Sequence, residues 1–137
     1  MRGRAKIASA AAVLLAGLAF TGCGGDGGGG DEDEVTEVVE SFVAAGNEGD
    51  AGTICDLLAS EQVEDIGQRA GGDCEEALGS FLDAAGRSET EVKVEDVRVD
   101  GARATADVIV IQDGERRTES LLLVEEDGDW RLASAGL

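Results

Sequence analysis

The chain reads as an α+β protein: three N-terminal helices packed on a curved, four-stranded antiparallel meander. Two observations predict this. Apolar residues recur at helical spacing over residues 35–82, then switch to strand-like runs over 91–135. Three Asp-Gly steps, at Asp100-Gly101, Asp113-Gly114 and Asp127-Gly128, divide the second half into four runs. Asp-Gly favours a two-residue hairpin turn, because a type I′ turn needs positive φ at both central positions.

The first helix rests on Val35, Val38, Val39, Phe42 and Val43, which fall on one face. It is expected from about Asp33 to Ala45, stopping at Gly46. Asp50 or Thr53 caps a short second helix with Ile54, Leu57 and Leu58 inward. Val63 and Ile66 suggest one more turn or short helix before Gly67. Asp73 is the expected N-cap of a helix carrying Cys74, Ala77, Leu78, Phe81 and Leu82, ended by Gly86. The predicted strands are 91–99, 102–112, 115–126 and 129–135. A two-residue loop at Asp113-Gly114 would place Asp107 opposite Ser120 and Ile109 opposite Thr118. Apolar parity breaks between Val92/Val94 and Val97/Val99, so a bulge is expected near Glu95.

Residues 1–22 have the three parts of a bacterial export signal. Arg2, Arg4 and Lys6 form a basic start, Ile7 to Phe20 an apolar stretch of 14 residues, and Thr21-Gly22 a small-residue step before Cys23. Fourteen residues are short of the about 20 that span a bilayer. The tract resembles the lipobox of bacterial lipoproteins, with Phe20 departing from the usual Leu. That resemblance implies a lipid on Cys23, which becomes the mature N-terminus. Residues 23–34 then read as a flexible Gly-rich and acidic tether of roughly 18 Å, and 35–137 as a single domain. The implied location is the extracytoplasmic face of the cell membrane.

Without residues 1–22 the chain keeps 8 basic residues against 30 acidic ones, a net charge of −22. Nucleic-acid affinity comes largely from cationic contacts to phosphate, so this charge argues against a nucleic-acid partner. Nine Arg against two Lys, with abundant Ala and Gly, point to a high-GC source of actinobacterial type. With Cys23 assigned to lipid, Cys55 and Cys74 remain. In an oxidising compartment such a pair is expected as a disulfide. Its spacing fits neither a CxxC redox motif nor a zinc site, and the chain has no His.

Three segments carry a further resemblance: VTEVVESFVAAGNEGDAGTICDLL, DCEEAL with the second cysteine, and the closing LLLVEEDGDWRL. Together they resemble small exported members of the nuclear-transport-factor-2-like superfamily over about residues 35–137. The resemblance implies a cone-shaped sheet with helices across its mouth; a cystatin-like α+β arrangement is the structural alternative. It says little about function, because the superfamily includes isomerases, cyclases, dehydratases, binding proteins and inert scaffolds.

The residue inventory narrows the chemistry. No His or Tyr is present, so acid–base work would fall to carboxylates. Without His, no serine here can join a Ser-His-Asp triad. No phosphate-binding glycine motif, cofactor motif or metal-ligand spacing appears. Asp107 and Glu119, set among apolar strand residues, are the candidate pocket acids, with Trp130 as a candidate pocket wall. Catalytic residues are not assigned. The expected role is a non-catalytic binding or accessory module for a small apolar ligand or an envelope protein. The alternative is a small-molecule enzyme, isomerase- or dehydratase-like, that uses a buried carboxylate.

Overall fold

The computed structural model describes residues 29–86 and 88–134. The export signal, Cys23 and Ala135 lie outside the described residues. Four helices precede four strands: α1 Gly29–Glu48, α2 Ala51–Leu57, α3 Ser60–Ala70, α4 Cys74–Ala85, β1 Thr90–Asp100, β2 Arg103–Gln112, β3 Glu115–Glu126 and β4 Asp129–Ser134. The strands form one antiparallel sheet in sequential order, and the helices cover one of its faces. The helix count is one more than expected. The turn or short helix anticipated around Val63 and Ile66 is an eleven-residue helix, α3.

Helix α1 differs from expectation at both ends. It begins at Gly29, so the acidic run Asp31–Glu34 forms its first turns rather than part of the tether. Acids there suit the positive end of the helix dipole. It also runs through Gly46. The stop is Gly49, at φ +75°. The Gly49 N–H donates to the Gly46 carbonyl (3.2 Å) and the Asp50 N–H to the Ala45 carbonyl (2.9 Å). That pair of bonds is a Schellman cap, whose left-handed residue is most easily glycine. Val35 and Val39 are fully buried on its inner face.

Asp50 caps α2 by accepting the Thr53 N–H (3.0 Å) and the Thr53 hydroxyl (2.7 Å). Asp73 caps α4 through the Glu76 N–H (2.8 Å). Helix α3 has no cap of its own, since Ala59 precedes it. Its cap comes from far along the chain: the Glu126 carboxylate of β3 accepts the Ser60 N–H (3.1 Å) and hydroxyl (2.8 Å). At the other end of α3, a Cβ on Gly67 would lie 2.9 Å from the Gly72 carbonyl oxygen, so the reversal after α3 needs glycine there.

Cys55 and Cys74 form a disulfide with Cα atoms 6.2 Å apart, tying α2 to the first residue of α4 across α3. The meander pairs in the expected register, with Asp107 opposite Ser120 and Ile109 opposite Thr118. Glu95 is the bulged residue between Val94 and Asp96, and a second irregularity lies in β4 opposite Leu122/Leu123. Two of the Asp-Gly steps have positive φ at both residues. The first differs: Asp100 pairs with Arg103, so the loop is Gly101-Ala102, with positive φ at Gly101 alone. A glycine at the first loop position makes the type II′ turn, which matches strand twist equally well.

The core lies between the sheet and the helices, around Val35, Val39, Ile54, Leu58, Ala106, Val108, Leu123, Trp130 and Leu132. The α2–α3 junction closes the β4 edge: the Ala59 N–H donates to the Leu132 carbonyl at 2.8 Å.

Candidate functional site

Alternation along β2 and β3 decides which side chains face the helices. Ala104, Ala106, Val108 and Val110 point inward, and register brings Leu123, Leu121, Glu119 and Arg117 alongside them. Ala104 and Ala106 are buried in the core. These small residues therefore admit helix packing rather than a ligand. The helices stop short of the β2–β3 hairpin end, and there the concave face stays open.

The opening is a cleft of about 450 Å³ between α1, α4 and the first three strands. Its apolar walls are Phe42, Val43, Phe81, Leu82, Val92, Val110 and Leu121. Phe81 is 59% exposed, one of two large apolar side chains left open to water among the described residues. The rim is held by two sets of hydrogen bonds. The Asn47 amide donates to the Thr90 carbonyl and accepts the Thr90 N–H, both at 2.8 Å, locking α1 to β1. The Ser88 hydroxyl donates to the Asp113 carboxylate (2.8 Å), fastening the segment after α4 to the β2–β3 turn. A cleft walled by regular elements and cross-braced at its rim is preorganised.

One polar strip crosses this apolar surface. Arg117 donates to the Gln112 amide oxygen at 3.4 Å, and its Nε lies 3.8 Å from the Glu119 carboxylate. The Glu119 side chain is 30% exposed. The strip offers one carboxylate and one guanidinium to a bound molecule. Among the described residues, no group of three or more His, Cys, Asp or Glu is arranged to hold a metal ion.

The three pocket residues expected from sequence lie in three different places. Glu119 lines the cleft. Asp107 sits on the opposite sheet face, where it pairs with Arg98 and accepts the Ser120 hydroxyl. Asp96 stands beside it in register, and Arg98 bridges the two acids. Trp130 is 3% exposed and belongs to the core near α1 and β4. Asp107 therefore leaves the pocket because of strand parity, and Trp130 because the helical layer covers it. Sequence reasoning missed Phe42, Asn47, Phe81 and Ser88 as cleft residues. Asn47 was readable as a polar side chain at the end of an apolar helix face; nothing local marks Phe81 as uncovered.

Charge is segregated between the layers. Residues 29–86 carry 16 acidic side chains against the single base Arg69, whereas residues 88–134 carry 13 acidic side chains and six bases. The helical surface is thus strongly negative, and basic groups are concentrated on the strands.

No protein-family model matches the chain, and no curated protein matches it in sequence. Solved structures do. An ntf2-like protein of unknown function from Shewanella baltica superposes with a TM-score of 0.55 at 16% identity, covering 75% of this chain and 88% of that one. Another, from Methylobacillus flagellatus, gives 0.55 at 19% identity, with 75% and 86% covered. A protein of unknown function from Mycobacterium tuberculosis gives 0.54 at 17% identity, with 80% and 74% covered. At these identities the likeness is one of fold: the domain has an NTF2-like fold, and its activity does not follow from theirs.

Proposed function

We propose that the chain is a cell-envelope lipoprotein, held at the extracytoplasmic face of the membrane by lipid on Cys23. Its domain acts as a non-catalytic module that takes a small apolar ligand, or an apolar segment of an envelope protein, into the cleft. The observation that carries this reading is the open apolar cleft with Phe81 uncovered at its wall. Exposed apolar surface in a concave site is the usual sign of a binding surface. The acidic helical layer supports the anchoring part. Helix α1 begins at Gly29, six positions after Cys23. An anionic bilayer repels so acidic a surface, so the tether supplies the attachment that the domain's surface lacks.

The test is titration with an anilinonaphthalene dye, whose emission rises in apolar surroundings. One saturable site is expected. A full Phe side chain presents about 200 Å², so covering half of the exposed part of Phe81 removes about 60 Å² from water, worth about 1.5 kcal/mol. Phe81→Ser should therefore weaken binding about tenfold. Leu122→Ser, on the outer sheet face and 51% exposed, should leave it unchanged. Binding that ignores Phe81→Ser, or responds equally to Leu122→Ser, defeats the cleft reading. Glu119 in the cleft is the observation that favours the enzymatic alternative. Turnover of a screened substrate lost in Glu119→Gln, with dye binding kept, would establish it.

A further inference from the structure

The cleft holds a carboxylate where its walls are most apolar. Glu119 stands opposite Val108 across the β2–β3 ladder, and Leu121 follows two residues on. Val108 is fully buried and Leu121 nearly so. Arg117, opposite Val110, stands one step nearer the hairpin end. Side-chain exposure follows the same order, 30% for Glu119 and 56% for Arg117. The carboxylate is therefore the deeper of the two charges and the guanidinium the shallower.

A carboxylate set among apolar side chains loses hydration, and a cation in direct hydrogen-bonded contact offsets the loss. Arg117 meets that need only loosely. Its Nε lies 3.8 Å from the Glu119 oxygen, beyond the about 2.7–2.9 Å of a charge-assisted hydrogen bond. Its Nη2 leans toward the Gln112 amide oxygen at 3.4 Å. The charge of the whole molecule favours a ligand of the same sign as Arg117. Residues 23–137 carry 8 basic side chains against 30 acidic ones. The cleft is walled by α1 and α4, from the helical layer with 16 acids against Arg69. A field of that sign concentrates cations at a cleft and turns anions away. Asp113 lines the cleft as well, so an anion drawn to Arg117 would meet two carboxylates on the way.

We propose, resting on the cleft reading above, that the molecule taken there is a small amphiphilic amine. Its ammonium pairs directly with Glu119 and displaces the looser contact with Arg117. Its aliphatic body lies against Phe42, Phe81 and Val92. The cleft, at about 450 Å³, falls within the about 300–1,000 Å³ of small-molecule sites, so the occupant is a free small molecule rather than a segment of a protein. An ammonium has three N–H donors and no acceptor, which suits a site whose deepest polar group only accepts.

Competition among three probes of equal chain length tests this: octylammonium, octanol and octanesulfonate. Each displaces the uncharged dye N-phenylnaphthylamine from the full chain, kept free of lipid by Cys23→Ser. Octylammonium should bind about tenfold more tightly than octanol, and octanesulfonate should be the weakest. Glu119→Gln should bring octylammonium to the level of octanol with dye binding kept, which shows that the fold survives. Arg117→Gln removes the internal competitor and should tighten octylammonium about threefold. Glu64→Gln takes the same charge from an exposed site on α3 and should change neither. A chain with no saturable dye site defeats the cleft reading and this inference with it. A dye site lost in Phe81→Ser, at which octylammonium and octanol compete equally or octanesulfonate competes best, leaves the cleft reading standing and overturns the amine. So does a preference for octylammonium that survives Glu119→Gln, or one that Glu64→Gln abolishes equally.

Discussion

Reduction of the Cys55–Cys74 bridge gives the sharpest stability prediction. The bridge closes a loop of about 20 residues, and the chain-entropy relation assigns such a cross-link about 3 kcal/mol. The structure shows where that constraint acts. Inside the loop lies α3, which has no fully buried side chain. Val63 and Ile66 touch the core only in part, and the helix start is held by Glu126 from β3. The disulfide thus fixes a helix that packing holds weakly. In a domain of roughly 100 residues each kcal/mol moves the melting temperature by about 4–8 °C, so reduction should lower it by roughly 12–24 °C. The assay is thermal unfolding followed by circular dichroism, with and without reductant. Reduction keeps both side chains, so it isolates the cross-link from any cavity at the buried Cys74. Helix and strand content below the transition should stay nearly the same. A shift smaller than about 4 °C would refute the reasoning, because it would mean that the unfolded chain gains little freedom when the loop opens.

Trp130→Ala removes the largest core side chain and should cost about 3–5 kcal/mol in denaturant unfolding; a loss under about 1 kcal/mol would place the indole outside the core. The Asp50 carboxyl is held below the usual carboxylate range, first by the Thr53 N–H, then by the Thr53 hydroxyl and the Gly52 N–H, against a small opposing effect of burial. Its folded pKa lies below its unfolded one, so its contribution is fully present above the ordinary carboxylate pKa and is lost as pH falls through the lowered value. Asp50→Ala should therefore be less stable than the parent at neutral pH, and the gap should close in strong acid; a gap independent of pH would show that charge plays no part in this cap. Cys23→Ser should release the protein from the membrane with its domain still folded, as read by fractionation with a labelled fatty acid. Continued labelling of that variant would rule out Cys23 as the lipid site.

Much of the fold was legible because its determinants are local. The 3.6-residue period marked the inner faces of α1 and α4, and Asp50 and Asp73 announced helix starts through oxygens that reach their own backbone. The Asp113-Gly114 loop, only two residues long, left β2 and β3 a single register. The bulge at Glu95 was visible as a break in alternation. Register also held more than was taken from it: a pairing of Asp107 with Ser120 already puts Asp107 on the face away from Glu119, beyond reach of a shared pocket. The end of α1 was misplaced because Gly46 and Gly49 both resemble a stop, and only Gly49 takes the left-handed conformation that completes the cap.

The remaining features depend on where one layer ends over another. No local pattern tells that Glu126 caps a helix starting 66 residues earlier, or that Trp130 is covered. Nor does one tell that Phe81 stays exposed while Leu78, one helical turn before it, is buried. Periodicity specifies which face of an element is apolar, since that follows from the geometry of its own backbone. Whether that face is covered depends on the lengths and positions of distant elements. Here the helices stop short of the β2–β3 hairpin end of the sheet and leave the cleft open. The candidate cleft lies where the covering layer runs out, which is set by the sum of many long-range contacts rather than by the residues that line it.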